Sequence, residues 1–321
     1  MMKKILLSAV FALFLMGITV PAVCAVGKNV IGIDKDNYVY LFAGLDDAAE
    51  NTDSLILISY DARENKAALM QIPRDTYVNC QTKTNKINSI YSSARAEGST
   101  SAKAMSRLIS VISRQLGLSI DGYVAMTVNG VSELVDRMGG ITVTLDEDFI
   151  LYDDDGEVLL SLPKGENHIN GKDAAILVRH RRTYKDGDLG RLDAQKIFLR
   201  GFFDTLLKRI PLDGMLRVIA KMKDSIQTNL SLRDSLIMVL KHSSKFRDTL
   251  VSYLRAPGKA LRSENGQWYY AINKEGMTEA LTMFFDTYNG AFDPDKLFLK
   301  DEENFIKIYN SGDFSLDDHI S

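Results

Sequence analysis

Apolar and polar positions along this chain follow two alternating periods. Residues 38–44 form a continuous apolar run that stops at Asp46 and Asp47, the pattern of a strand buried on both faces. Residues 54–60 and 67–72 read as two more strands, and the polar stretch Asp61-Ala62-Arg63-Glu64-Asn65 between them predicts a hairpin turn. Met105, Leu108, Ile109, Ile112 and Leu116 then fall at helical spacing, with Ser101 the expected cap and Gly117 the stop. Residues 123–128 are strand-like. Asn129 is the expected cap of a short helix carrying Val131, Leu134, Val135 and Met138, which Gly139 and Gly140 end, and residues 141–145 return to strand. A polar loop leads to a helical segment near residues 172–178. A longer helix is predicted from about Leu192 to Arg209, with Leu192, Leu199, Phe203, Leu206 and Ile210 on one side and Pro211 at its end. Strands interleaved with helices predict an α/β fold, layered α-β-α, in which helices flank a central mixed sheet.

The N-terminus changes the picture first. Lys3 and Lys4 precede residues 5–27, which hold no charged side chain, as in an export signal or a single membrane anchor. Pro21 and the small-residue run Ala22-Val23-Cys24-Ala25 resemble a signal-peptidase site, while the length of the run equally suits retention in the bilayer. Either outcome places the rest outside the cytoplasm, at the cell membrane or secreted to the wall. The expected organisation is residues 1–27 as signal or anchor, 28–250 as the main domain, and a turn-rich 251–321 packed on that same domain.

Charge and cysteine content narrow the chemistry. A net charge of −3 over 321 residues gives no global reason to expect nucleic acid, so any anion site must be local. Two cysteines exclude a disulfide scaffold, and Cys80 is expected to be a small buried apolar residue.

Four short segments carry candidate chemistry. Asp46-Asp47 and Asp53 flank a loop between two strands, where carboxylates either converge on a hard cation or simply shape a turn. Pro73-Arg74-Asp75-Thr76 leaves a strand end, with proline fixing the direction of exit. Lys86-Ile87-Asn88 taken alone reads as an exposed edge with one buried aliphatic. The fourth segment holds Arg179, Arg181, Arg182, Lys185 and Arg191 against Asp186 and Asp188, a local excess of positive charge in an acidic chain. Extended backbone would point Arg179 and Arg181 to one side. Arg191 and Gln195, four apart at a helix start, are expected on a polar face opposite much of the apolar stripe. Arginine suits phosphate because its planar fork bonds two oxygens at once.

In this order, Asn51-Thr52-Asp53-Ser54, Pro73-Arg74-Asp75-Thr76, Lys86-Ile87-Asn88 and Gly187-Asp188-Leu189-Gly190-Arg191 resemble the LytR–CpsA–Psr family. The stretches 135–143 and 168–174 are similar to two further segments of that family, and the match runs over roughly residues 38–210. The resemblance implies an extracytoplasmic phosphotransferase that moves a glycopolymer, such as a teichoic acid or capsular polysaccharide, from a polyprenyl-pyrophosphate carrier to peptidoglycan. By the same resemblance, Asp47 and Asp53 hold Mg²⁺ against the pyrophosphate. Arg74, Arg179, Arg181, Arg191 and Gln195 grip its oxygens, with Lys86 and Arg182 close by, and Asp75 either orients Arg74 or assists deprotonation of the incoming hydroxyl. The expected partners are the lipid-linked glycan donor, the peptidoglycan acceptor and the membrane, with no nucleic acid.

The chain departs from the family pattern at Ala48 and Ala194, where arginines are common. Losing a charged hydrogen bond typically costs about 1.5–3 kcal/mol, which leaves two rival readings: a non-catalytic binder of lipid-linked glycan, and a hydrolase acting on the same carrier. No Walker loop, HExxH arrangement or nucleophile elbow occurs in the chain.

Overall fold

The computed structural model describes residues 35–290, apart from 79, 81, 154, 181–187, 263–265 and most of 210–247, together with residue 292. The predicted N-terminal signal or anchor therefore lies outside the described residues, and among those described no helix is long and apolar enough to cross a membrane.

The strands are β1 (Asn37–Leu45), β2 (Thr52–Asp61), β3 (Lys66–Ile72), β4 (Gly122–Thr127), β5 (Ile141–Leu145), β6 (Phe149–Tyr152), β7 (Val158–Leu162), β8 (Gly165–Ile169), β9 (Gln227–Thr228), β10 (Leu250–Arg255), β11 (Gly258–Arg262) and β12 (Trp268–Ile272). The helices are α1 (Ile87–Ala96), α2 (Ser101–Leu116), α3 (Val128–Arg137), α4 (Gly171–Arg179), α5 (Asp188–Arg209) and α6 (Lys274–Phe284). Six strands make one mixed sheet in the order β10-β3-β2-β1-β4-β9. Helices interleave with the strands along the chain, so the fold is α/β.

The chain divides into two compact units. One comprises residues 34–123 and the chain from Leu250 onward. In it, β1 and β2 pair antiparallel from Asn37↔Asp61 to Leu45↔Thr52, and β2 pairs antiparallel with β3. Their continuous apolar runs are buried on both faces: Tyr40, Leu41, Leu57 and Met70 are fully out of water. The hairpin turn at residues 61–65 is as predicted, with Asn65 adopting a left-handed φ of 56°. β10 adds parallel to β3. Helix α1 packs on α2 and on β2. Thr100 rather than Ser101 caps α2, because Thr100 is extended (ψ 154°) and accepts from the Lys103 N–H, whereas the Ser101 hydroxyl meets Tyr91. Gly117 ends that helix at φ 64°.

The second unit holds residues 124–249. Its α3 is capped by Thr127, which accepts from the Gly130 N–H, and not by Asn129, which lies one residue inside the helix. Gly140 follows at φ 89°, and a Cβ there would lie 2.4 Å from Nε2 of His168. Only glycine fits that approach. The supposed polar loop contains three short strands: β5 pairs with β8, and β6 with β7. Each is only four or five residues long, too short an alternation to register as strand. Helices α3, α4 and α5 pack in succession, with α5 also against β5.

Candidate functional site

Within the first unit, the candidate side chains sit where strands end. After β1 the chain turns through residues 46–51. The Asp46 carboxylate accepts from the N–H groups of Glu50 (2.8 Å) and Asn51 (3.2 Å) and from Nδ2 of Asn51 (2.7 Å). Burial alone would raise the proton affinity of this carboxyl, but those hydrogen bonds, with the Ala49 N–H, outweigh it and hold the group below its ordinary value. Ala49 takes a left-handed φ of 55°, and its carbonyl accepts from the Tyr91 hydroxyl at 3.1 Å. Arg95 clamps Glu50 through two nitrogens, at 2.6 and 3.2 Å. The loop is thus tied at both ends, and it presents Asp47 and Ala48 to solvent. Sequence reasoning named Asp47 and left Asp46 as its neighbour; the structure makes Asp46 the organiser of the turn.

Asp53, the second residue of β2, receives Nη1 of Arg74 at 2.5 Å. Arg74 follows Pro73 at the end of β3, and the turn is closed by Thr76, whose N–H and hydroxyl both donate to the Pro73 carbonyl at 3.0 and 2.6 Å. Asp75, the next residue, receives Nζ of Lys86 at 2.9 Å. Asp75 is therefore paired with Lys86, and Arg74 is paired with Asp53. Lys86 is the extended residue immediately before α1. The Lys86-Ile87-Asn88 segment is consequently a helix entry rather than an exposed edge, with Ile87 buried and its N–H donating to the Thr76 carbonyl at 2.8 Å. Lys86 and Asp75 keep only 17% and 19% of their side-chain exposure.

Two tyrosines that motif reading passed over belong to this cluster. Lys86 Nζ lies 5.2 Å from the centre of the Tyr269 ring, and that ring meets Tyr77 edge-on at 6.0 Å. Burial, and for Tyr269 the nearby Asp75 charge, pushes both phenols up. Tyr269 lies on β12, far along the chain, and no local pattern connects it to Lys86. Cys80, expected to be buried, is half-buried, with its sulfur 3.3 Å from the Thr82 hydroxyl oxygen.

The second unit carries the remaining candidates. Asn170 caps α4 by accepting from the Asp173 N–H, and Gly171 at its start donates to Asp136 at 2.7 Å. A Cβ at Gly171 would lie 2.1 Å from the Ser132 carbonyl, so the close α3–α4 approach requires glycine. Arg179 is the last residue of α4 and is exposed, and His180 after it is extended. Arg181 and Arg182 lie outside the described residues. Arg191 and Gln195 stand on α5, and here the sequence expectation needs correcting. Neither lies on a solvent face: Arg191 is 2% exposed and Gln195 6%. Among its described side chains the outward positions are Asp193, Arg200 and Asp204, because apolar residues cover most of the circumference there. Gln195 Nε2 donates to the Val178 carbonyl at 3.1 Å, satisfying one of the carbonyls that the end of α4 leaves without a helical partner. Ala194, where arginine was expected, is fully buried.

The arrangement has known counterparts. Teichoic acid transferase TagV of Bacillus subtilis (polyisoprenyl-teichoic acid–peptidoglycan teichoic acid transferase) is 27% identical over 81% of this chain and 67% of its own length. The like-named TagU of Bacillus cereus is 27% identical over 72% of this chain and 73% of its own length. Biofilm regulatory protein A of Streptococcus mutans is 26% identical, and this chain spans 63% of its length. The crystal structure of B. subtilis TagV superposes with a TM-score of 0.62 at 25% identity, covering 78% of this chain and 96% of that one. TagT bound to LIIa-WTA shares the fold at a TM-score of 0.61 and 21% identity, over 84% of this chain and 96% of that one. The strand-end carboxylate–cation pairs and the arginine-bearing helix lie within residues 25–284, the span that matches the LytR_cpsA_psr family, and the chain belongs to that family.

Proposed function

We propose that this chain is an extracytoplasmic transferase that moves a glycopolymer from a polyprenyl-pyrophosphate carrier to peptidoglycan. The observation that carries the reading is the pair of ion contacts at adjacent strand ends, Arg74 on Asp53 and Lys86 on Asp75, in a chain related to transferases named for teichoic acid and peptidoglycan. A pyrophosphate diester carries two negative charges and develops more on its leaving phosphate. Fixed cations stabilise that charge without a covalent intermediate.

In the proposed reaction a peptidoglycan hydroxyl attacks the phosphorus that bears the glycan. The new O–P bond forms as the bridging P–O bond breaks, and polyprenyl phosphate leaves. Asp75 takes up the hydroxyl proton, with Lys86 holding its carboxylate in place beforehand. By the family resemblance, Arg74, Arg179, Arg181 and Arg191 are assigned to the phosphate oxygens, with Arg182 as a further candidate. Gln195 supports this set by tying α5 to the end of α4.

The donor set also suits Mg²⁺. Among the described residues no three acidic, histidine or cysteine side chains gather to hold a metal by themselves. Asp47 and Asp53 flank one loop, and two carboxylates completed by phosphate oxygens and water are the usual surroundings of this ion. When bound, it supplies positive charge to the pyrophosphate. Asp47 is exposed and would offer its carboxylate to the ion, whereas Asp53 would have to exchange part of its contact with Arg74.

The test is a transfer assay with synthetic polyprenyl-pyrophosphate glycans and peptidoglycan oligomers, with Mg²⁺ or with chelator. A glycan–peptidoglycan adduct formed only with Mg²⁺ is expected. Absence of any adduct across several donors overturns the reading, and free glycan phosphate released despite acceptor converts it to hydrolysis.

A further inference from the structure

The C-terminal strand β12 reaches both members of the Lys86–Asp75 pair through consecutive residues. Tyr270 donates its N–H to the Asp75 carbonyl at 2.9 Å, and its own carbonyl accepts the Tyr77 N–H at 2.9 Å, so Thr76 bridges parallel to Tyr270. The Tyr270 ring is buried and its hydroxyl donates to the Ala256 carbonyl at 2.8 Å, which anchors the strand from behind. One residue earlier, on the opposite face of the strand, the half-buried Tyr269 ring stands under the Lys86 ammonium. The hydroxyl end of that ring is held by Gln267 at 3.1 Å, and its edge meets Tyr77, whose backbone bridges to Lys86.

Lysine is a flexible four-carbon stem carrying a point charge, and a partly exposed ion pair alone restrains it poorly. A ring face beneath the ammonium adds a second attraction from a different direction, stronger where water is partly excluded, as it is around Lys86. Two restraints confine the ammonium more closely than one. We infer that Tyr269 is a positioning residue, holding the Lys86 ammonium on the Asp75 carboxylate, so that β12 is a working part of the site. This rests on the transferase reading for its consequence in turnover, while the contact itself is testable without it.

The experiment compares the full chain with Tyr269→Phe and Tyr269→Leu by two readouts. The first is the acetylation rate of Lys86 with trace acetic anhydride, resolved by peptide mass spectrometry against the other lysines and needing no substrate. A cation–π contact of about 1 kcal/mol corresponds to roughly a fivefold change, so Tyr269→Leu should label Lys86 about fivefold faster and Tyr269→Phe within about twofold of the parent. The second is the transfer assay, where Tyr269→Leu should lower kcat about fivefold with acceptor KM unchanged, and Tyr269→Phe should restore it. In a Lys86→Met background, Tyr269→Leu should have no further effect. Labelling of Lys86 at the parent rate in Tyr269→Leu overturns the inference, as does an undiminished kcat effect in the Lys86→Met background. If Tyr269→Leu does not fold, Tyr269→Met carries the same comparison. A parent chain that labels as expected yet transfers nothing refutes the transferase reading and leaves the Tyr269 contact standing.

Discussion

Residues 46–95 and residues 171–209 both hold cations, and they do so in opposite ways. In the first region, among the described residues, the clamps are ion pairs: Arg74 on Asp53, Lys86 on Asp75 and Arg95 on Glu50, with side chains retaining between 17% and 47% of their exposure. In the second, Arg191 is almost entirely out of water on α5, and its polar neighbour Gln195 is committed to a main-chain carbonyl of α4. Partly exposed pairs add little to stability, typically under about 1 kcal/mol each, so the Arg74–Asp53 and Arg95–Glu50 pairs can rearrange around a ligand at small cost, while the Tyr269 ring restrains Lys86. A buried guanidinium is costly to desolvate and stays where the fold puts it. The contrast separates an adjustable set of charges from a fixed one.

The sharpest way to break that contrast is to remove the fixed charge. Arg191→Met keeps the length and apolar bulk of the stem and should lower transfer about 100-fold or more, the usual loss when one preorganised group at a developing charge is deleted. Arg95→Met, which unclamps a loop residue in the adjustable region, should change the rate by less than about threefold. Initial rates on variants shown to be folded by circular dichroism decide it, and parent-like transfer by Arg191→Met removes the distinction.

The next test addresses the fully buried Ala194. Installing the arginine that the family pattern commonly carries should destabilise this chain by roughly 3 kcal/mol, from overpacking and desolvation of a charge, read as a lower urea midpoint. A stable Ala194→Arg variant with faster transfer would instead mean that position 194 opens onto the ligand.

How far these regions could be read in advance differs for the same physical reason. Strands β1 to β3 announce themselves as unbroken apolar runs because both faces are buried, and residues 141–145 coincide with β5. The motif order brought out Asp53, Arg74, Asp75 and Lys86, but spacing could not say which carboxylate meets which cation. That pairing depends on how two strand ends and a helix entry are juxtaposed. Tyr269 was invisible because its link to Lys86 is entirely long-range. On α5 the error was of another kind: an amphipathic reading puts arginine and glutamine in water, and a helix wrapped by Leu192, Phe198, Leu199, Phe202 and Phe203 buries them. The caps at Thr100 and Thr127 each fell one or two residues before the expected one, since the capping residue is chosen by its extended backbone.

A smaller effect sharpens the helix-borne side. Asn170→Ala deletes the cap of α4, the helix whose last residue is Arg179, and should cost about 1 kcal/mol in denaturant unfolding. If the fixed region is as rigid as its burial implies, transfer should fall no more than about twofold, because the packing of α4 against α3 and α5 holds the helix in place without the cap.

The smallest expected effect lies in the adjustable region and is a matter of sign. The folded loop lowers the proton affinity of Asp46 through the N–H groups and amide that its carboxylate accepts. The native state therefore favours the ionised form, and the stabilisation is fully present above the unfolded value near 3.8 and is lost as pH falls through the lower folded value. Asp46→Asn retains an acceptor oxygen but no charge, and should cost at most about 0.5 kcal/mol at pH 7 for so shallow a site. That difference from the parent should narrow below about pH 4 and close at lower pH. Asp121 works in the opposite direction, since burial raises its proton affinity despite Lys35 and the Val39 N–H. It is present in both proteins, however, and cancels from the difference curve. A gap between the two unfolding curves that stays constant from pH 7 to pH 2 would mean that the Asp46 charge does not shape the turn, leaving Arg95 on Glu50 and the Tyr91 hydroxyl on Ala49 to present Asp47.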